Sequence, residues 1–398
     1  MSLKTKSLSG FLDHKTMYYD KIDFSFVNRA FSILEKEIKI PFVIHIVGTN
    51  GKGSTGRFLS HYLYKTGFKT LHYSSPHIKK FNERIWINGA DVSDNLLQNA
   101  HEFLTRIYDE ELLLKLTYFE YTTLLALYLS KDCEYLVLEA GLGGEFDATN
   151  VVKNDLSLIT TIGLDHISFL GNSIEKIART KMRATNKKMI IGYQEFQEVF
   201  EVAQKVKEEL KEELKEELKE EFNTDIEILK VENFEIDYDF VFASYLKRNL
   251  ALSIRCLEEL PDFKNKPINL EIFNTTPLFG RCQKIGKNLY IDVGHNSLAA
   301  KVIKEEFKDR KITLIYNSYE DKDYFEVLKV LKPIIKEIFI LPLDDKRIVK
   351  KDILKKCIKE LELIEIEKLA MDLENDYLVF GSFLVVENFL GLIGYENS

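Results

Sequence analysis

The chain has 398 residues, with 55 Lys and Arg against 63 Asp and Glu and a formal net charge of −8. Hydrophobic residues make up 45% and aromatics 12%, which excludes a disordered, collagen-like or coiled-coil reading of the whole chain. The acidic balance argues against a general nucleic-acid binder, which needs a basic field.

The length suggests two or three domains, each able to bury a core. The charge is uneven. Lys207 to Glu221 reads KEELKEELKEELKEE and carries four Lys and eight Glu, half of the whole excess. The four cysteines, Cys133, Cys256, Cys282 and Cys357, show no metal-ligand spacing, so free thiols and a cytoplasmic location are expected. No signal-peptide core opens the chain, and no run of about 18 apolar residues offers a membrane span. There are only 11 Arg, so an Arg inside a motif is worth noticing.

Phe42 to Gly48 reads as a buried strand, followed by the turn TNGKGST and a helix over Thr55 to Lys65. Lys69 to Ser75 is the next strand. LLQNAHEFLTRIYDE and FEYTTLLALYLSKD read as helices. Glu134 to Gly144 and Asp155 to Gly163 are apolar runs ending in Gly, again buried strands. SIEKIARTKMRA is a helix and KMIIGY a short strand. This alternation predicts an α/β domain with a mostly parallel sheet. In the repeat, Leu210, Leu214, Leu218 and Phe222 recur every four residues, so the apolar stripe drifts about 40° per step. A solvated helical extension is the expectation there. Tyr245 to Leu260 is a further helix. NTTPLFGR marks a junction, after which strands and helices restart: NLYIDVG, a helix from Leu298, KITLIYNS, a helix over Tyr324 to Leu331, EIFILP, YLVFGS and a last helix. The expected organisation is a first domain over 1–274 with a charged insertion at 201–222, a linker at 275–281, and a smaller α/β domain over 282–398.

GTNGKGST, Gly48 to Thr55, stands between a strand and a helix, where backbone N–H groups and a helix N-terminus cradle phosphate. Thr49, Asn50, Gly51, Lys52, Gly53, Ser54 and Thr55 are the candidate ATP-binding residues. Lys52 can reach the outer phosphates, and Ser54 or Thr55 can place a hydroxyl on Mg²⁺. Glu139 ends a buried strand, where ligand sites of open α/β sheets lie. Asp165 and His166 follow another strand end, and Lys181 lies one helix later. Mg²⁺ prefers oxygen, so His166 raises the expectation of a second metal position or a softer divalent ion.

Together these residues resemble a known family. HIVGTNGKGST, SSPHIKKFNERIWING, TYFEYTTLLAL, VLEAGLGGEFDATNVV and TTIGLDHISFLG, with GRCQ, YIDVGHN, DKD and VFGS after the junction, resemble folylpolyglutamate synthase/dihydrofolate synthase, a branch of the Mur ligase-like ATP-dependent amide ligases. The resemblance runs from about Phe24 to the last helix. It implies a P-loop nucleotide-binding domain followed by a Rossmann-like α/β domain. It also implies ATP-dependent ligation of L-glutamate to dihydropteroate, to the glutamate tail of reduced folates, or to both, through an acyl phosphate. Its metal ligands would be Ser54, Glu139, His166 and, as a carbamate, Lys181, for two Mg²⁺; a monovalent cation belongs to the same expectation. Lys52 would hold the γ-phosphate. Arg84, Thr117, Phe119, Asp147 and Ala148 match folate-contacting positions. From the second domain Arg281, Asp292, His295 and Asn296 would reach across an interdomain cleft to ATP and glutamate, with Arg281 and His295 neutralising the transferring phosphoryl group. Lys52, His166, Lys181, Arg281 and His295 are therefore the candidate catalytic set. A monomer with small-molecule substrates and no nucleic-acid or membrane partner is implied.

Three positions depart from the family pattern. The family's GGR is Gly143-Gly144-Glu145 here, its KAGI is Lys181-Met182-Arg183-Ala184, and its AHNP is Gly294-His295-Asn296-Ser297. Ser297 is expected to cap the helix that the lost Pro would have opened. The readings that compete with the family's own activity are a Mur-type ligase acting on another carboxylate and a non-catalytic nucleotide-binding relative that uses the charged helix to bind a partner.

Overall fold

The computed structural model describes residues 7–15, 23–218 and 226–395, without side chains for 214–218. The last part of the charged repeat, 219–221, lies outside the described residues. The chain divides into two compact units, one of Met1–Ile236 with Arg248–Thr276, the other of Asp237–Lys247 with Pro277–Ser398.

In the first unit, α1 (Leu8–Leu12) and α2 (Ser25–Leu34) lead into β1 (Phe42–Val47), α3 (Lys52–Lys65), β2 (Thr70–Tyr73), β3 (Ile85–Ile87) and β4 (Ala90–Asp91). Then come α4 (Asp94–Ile107), α5 (Glu110–Lys115), α6 (Tyr118–Leu129), β5 (Tyr135–Glu139), β6 (Leu156–Ile159) and α7 (Ile167–Leu170). The unit continues with α8 (Ile174–Met182), β7 (Lys188–Ile191), α9 (Glu198–Leu218) and β8 (Glu227–Lys230), and α10 (Leu246–Glu259) follows. The strands form one sheet in the order β4-β3-β2-β5-β1-β6-β7-β8. β2, β5, β1, β6, β7 and β8 run parallel, while β3 and β4 are antiparallel at one edge. β1 is buried on both faces, His45 included, because it lies between β5 and β6 with helices over the sheet. From β1 the chain moves first to one side of the sheet and later, with β6, to the other. The carboxyl end of β1 is thus a topological switch point.

The second unit holds β9 (Gln283–Lys284), β10 (Leu289–Ile291), α11 (Ser297–Glu306), β11 (Ile312–Tyr316), α12 (Tyr324–Leu331), β12 (Ile335–Ile340), α13 (Lys351–Glu360), β13 (Glu365–Ile366), β14 (Asp376–Phe380) and α14 (Phe383–Leu392). Its sheet order is β13-β12-β11-β14-β10-β9, parallel except for β9. The architecture is the expected α/β one. Among the described residues no helix is long and apolar enough to cross a membrane.

Local details depart from the sequence reading. α3 starts at Lys52, three residues before Thr55, because Gly51 supplies a left-handed N-cap (φ 92°) that needs no capping side chain. α2, whose N-cap, Phe24, makes no side-chain cap bond, and the very short β3 and β4 are not among the elements expected from the sequence. α9 starts at Glu198, well before the repeat, and Val199, Val202, Ala203 and Val206 pack it into the core with α8.

Candidate active site

The parallel register brings the loops after β1, β2, β5 and β6 to one sheet edge. Ile46 stands beside Glu139, Val47 beside Ile159, and Tyr73 beside Leu138. The phosphate loop is pinned there. The N–H groups of Thr49 and Asn50 donate to the Thr161 carbonyl at 2.9 and 3.2 Å, and the Thr49 hydroxyl donates to the Gly163 carbonyl at 3.0 Å. Lys52 Nζ folds back onto the carbonyls of Gly48 and Thr49, at 3.2 and 3.3 Å. Gly53 opens the first turn of α3, and Thr55 is fully buried with its hydroxyl unpartnered. Ser54 Oγ donates to the Gly51 carbonyl at 3.1 Å and accepts from Asn249 Nδ2 of α10 at 2.8 Å.

Lys181 sits at the last turn of α8. Ile174, Ile177, Ala178 and Lys181 form its buried stripe, so the lysine occupies a position that helical spacing reserves for an apolar side chain. Its Nζ donates to the Gly48 carbonyl at 2.9 Å. Burial pulls its pKa down to about 7, with nearby Lys52 pushing the same way and Asp165 and Asp147 opposing. Glu139 is buried at the end of β5 and accepts from the Ser75 N–H at 3.4 Å. His166 is exposed, holds a left-handed backbone (φ 49°) and caps α7, its N–H bonded to Asp165 Oδ1 at 2.9 Å. Among the described residues no three His, Cys, Asp or Glu side chains gather into a metal cluster.

That donor set fits Mg²⁺, which keeps waters and substrate phosphates rather than an all-protein cage. A hydroxyl has one donor and two acceptor sites. Ser54 has used its donor and one acceptor, which leaves one lone pair for a cation. Glu139 adds a carboxylate. Lys181, with its pKa drawn down to about 7, is a free amine for part of the time near neutral pH, and a free amine can become an oxygen ligand by carbamylation.

Among the residues expected to contact folate, Asp147 is buried, and burial raises its pKa. It accepts from the Leu142 N–H at 2.7 Å and from the Thr149 N–H and hydroxyl at 3.0 and 2.6 Å. Ala148 is buried beside it. Phe119 packs near Tyr73, with ring centroids 5.9 Å apart, and a Cβ on Gly141 would strike its ring. Thr117 caps α6 in a reciprocal box with Glu120, its hydroxyl donating to Glu120 Oε2 at 2.9 Å. Arg84 is buried, stacks over Tyr118 and donates to His77 Nδ1 at 2.8 Å. Burial first, then the Arg84 charge, lowers the His77 pKa to about 4, so the ring is neutral and can accept that bond.

Two of the departures from the family pattern are each other's partners. Arg183 Nε meets Glu145 Oε1 at 2.6 Å, with only 11% and 20% of the two side chains exposed. Bond by bond, Arg183 also reaches Glu209 at 3.2 Å and Glu213 at 2.9 Å, both in the charged repeat. The start of that repeat is therefore not the solvated extension expected of it; Leu210 also packs against the core.

In the second unit, Asp292 is buried and its pKa is raised by burial. It accepts from the N–H groups of Gly294 at 2.7 Å and Cys282 at 2.8 Å and from the Tyr245 hydroxyl at 2.9 Å. Arg281 lies over the Phe383 ring at 5.5 Å, and His295 Nδ1 is 3.2 Å from the Val293 carbonyl. The cap of α11 is Asn296, whose side chain accepts from the Ala299 N–H at 3.0 Å; Ser297, expected there, is the first helical residue. An Asx side chain one position earlier makes the Ser redundant.

Asn249, Tyr245 and His77 were not singled out by the sequence reading. For Asn249 and Tyr245 the only signal is a polar side chain on the inner face of an otherwise ordinary amphipathic helix or at its entry. For His77 it is position, seven residues before Arg84.

A family model for the Mur ligase middle domain matches residues 46–240. The dihydrofolate synthase/folylpolyglutamate synthase of Buchnera aphidicola subsp. Acyrthosiphon pisum is 31% identical over 413 residues, covering 96% of this chain and 95% of its own. The crystal structure of Helicobacter pylori folylpolyglutamate synthetase is 38% identical, covers 98% of both chains and superposes with a TM-score of 0.75. A bifunctional folylpolyglutamate synthase/dihydrofolate synthase from Yersinia pestis, complexed with AMPPNP and Mn ion, is 23% identical, covers 98% of this chain and 99% of its own, and has the same fold at a TM-score of 0.80. The chain belongs to the dihydrofolate synthase/folylpolyglutamate synthase family of ATP-dependent amide ligases.

Proposed function

We propose that this protein uses ATP to join L-glutamate to dihydropteroate, to the glutamate tail of reduced folates, or to both, acting in the cytoplasm as a monomer. One observation carries the reading: the phosphate loop and the Asp147 loop close on the same residue. Lys181 reaches the Gly48 carbonyl with its Nζ, while its own backbone lies against Gly144 so closely that an added Cβ would sit 2.7 Å from the Lys181 carbonyl oxygen.

In this reading the γ-phosphoryl group passes to the substrate carboxylate and ADP leaves. The glutamate amine then attacks the acyl carbon, loses a proton, and phosphate departs. The protein's work is positioning and charge neutralisation. Thr49 to Thr55 wrap the phosphates, and Lys52 turns from its own loop carbonyls to the γ-phosphate. Ser54, Glu139, His166 and, as a carbamate, Lys181 would hold two divalent ions, which would supply charge neutralisation and orientation. Asp147 accepts from the pterin amino group, Phe119 offers a ring for stacking, and Arg84 orders the loop that contains His77. The first unit thus binds ATP and folate. Arg281, Asp292, His295 and Asn296 of the second contribute contacts to ATP and glutamate.

The test is ADP release, with dihydropteroate plus glutamate and tetrahydrofolate plus glutamate assayed side by side. Release that depends on glutamate and either acceptor is expected. ADP release with neither would overturn the reading.

A further inference from the structure

α8 and α9 lie side by side and run in the same direction. Their charges meet as three rungs with a constant offset of 30 residues: Glu175 with Lys205 at 3.1 Å, Arg179 with Glu209 at 2.8 Å, and Arg183 with Glu213 at 2.9 Å. Positions four apart share a helix face, so the four-residue period of the repeat matches the spacing on α8. The last rung differs from the others. Arg183 also turns its Nε to Glu145, at 2.6 Å, and shares Glu209 at 3.2 Å. Its guanidinium therefore joins the repeat helix to the loop between β5 and Asp147.

That loop is held in few other ways. The Glu145 N–H donates to the Thr180 carbonyl at 2.8 Å, and Asn150 Nδ2 donates to the Glu145 carbonyl at 3.0 Å. Inside the loop, the Leu142 N–H donates to Asp147 Oδ2 at 2.7 Å, and the Asp147 N–H to the Gly144 carbonyl at 3.1 Å. Gly144 itself touches Lys181. A shift of Glu145 would carry Asp147 with it, through the turn in which the Asp147 N–H is bonded to Gly144.

We propose that Arg183 is a positioning residue for the acceptor side of the reaction, and that with Glu145 it forms an ion lock through which the start of the charged repeat fixes the Asp147 loop. This rests on the ligase reading for the identity of the acceptor, but not for the lock itself. A largely buried guanidinium that divides its N–H groups among Glu145, Glu209 and Glu213 has the geometry to set loop position, which an exposed single pair lacks.

The test joins kinetics to hydrogen exchange on the full chain. In Arg183→Met, the KM for dihydropteroate should rise roughly tenfold while the KM for ATP stays within about twofold, because the phosphate loop is anchored elsewhere. Arg183→Lys, which keeps the charge, should recover part of the loss. Glu145→Gln should give a similar defect, and the double variant should be no worse than the worse single one. Amide exchange at Leu142, Glu145 and Asp147 should accelerate in Arg183→Met while amides within α8 keep their protection. Unchanged exchange in the loop, or effects of Arg183→Met and Glu145→Gln that simply multiply, overturns the lock. Should Arg183→Met loosen α8 as well, Arg183→Lys and Glu145→Gln decide by the same readouts. An unmodified protein that uses neither dihydropteroate nor tetrahydrofolate would sink the ligase reading alone, since the exchange measurement needs no turnover.

Discussion

Lys52 and Lys181 donate to one oxygen, the carbonyl of Gly48, at 3.2 and 2.9 Å. Two ammonium groups cannot share so small a space cheaply. Burial settles the conflict by drawing the pKa of Lys181 to about 7, so near neutral pH one of the two is a free amine for much of the time. A free amine can take up CO₂; an ammonium ion cannot. In the proposed reading the pair thus divides the labour, Lys52 as a cation for phosphate and Lys181 as the precursor of an oxygen ligand.

That division is testable by replacing each lysine in turn. Lys181→Ala should lower turnover at least about a hundredfold, with partial recovery on addition of acetate, which restores a carboxylate in the vacated space. Lys52→Ala should fall by a similar factor and gain nothing from acetate. Full activity in unrescued Lys181→Ala removes that residue from the mechanism.

A second consequence concerns stability and pH. The folded pKa of Lys181 is about 7 and the ordinary value 10.5, so the unfolded chain binds the extra proton between those limits. Burying this lysine therefore costs most below pH 7, and the cost fades as pH rises toward 10.5. Lys181→Met should melt higher than the parent protein at pH 6, by an amount that shrinks steadily up to pH 10. A melting-temperature difference that is flat across this range would contradict the buried-amine account.

Asn249 approaches the phosphate loop from α10, close enough that a Cβ on Gly51 would meet its Oδ1 at 2.5 Å. It also orients the Ser54 hydroxyl. Asn249→Ala should raise the KM for ATP by up to about tenfold, the worth of one hydrogen bond at a polar site, and leave the KM for glutamate nearly unchanged. Titration of nucleotide binding by calorimetry checks the same point without turnover.

Thr117 serves α6 as its N-cap, so the proposed contact with folate has to be separated from its effect on the helix. Thr117→Ala should cost about 1 kcal/mol of stability. Thr117→Ser should keep the cap and nearly all of that stability. Were the alanine variant to lose folate affinity and the serine variant to retain it, cap and contact would be one function; loss in both would point to a direct role for the threonine methyl.

Much of this architecture can be read from the residues alone. Apolar runs such as FVIHIV and YLVLE are buried on both faces, and their Gly-rich exits mark the strand ends where Lys52 and Glu139 stand. What could not be read was long-range pairing. Glu145 and Arg183 each look like a loss when taken singly, a base turned to an acid and a bulky residue beside Lys181. Only the contact between the loop and α8 shows that they compensate. The charged repeat misled for a related reason: its composition is that of a solvated face, and nothing local reveals that α8 carries Glu175, Arg179 and Arg183 at the matching interval. Asn249 was invisible because the fold, not its neighbours in the chain, brings α10 to the phosphate loop.

A repeated sequence also poses a problem of alignment. Sliding α9 forward by one four-residue unit, about 6 Å of helix, would still offer Arg179 and Arg183 an acid each, Glu213 and Glu217. It would, however, set Glu209 against Glu175. Sliding it back would set Glu201 against Glu175 and Lys205 against Arg179. Among the three rungs, the one between Lys205 and Glu175 is the one that either slip would turn repulsive. It marks on the charged side the register that Val199, Val202, Ala203 and Val206 hold from the core side, since a slip would also put Lys207, or Glu195 and Glu198, at buried places.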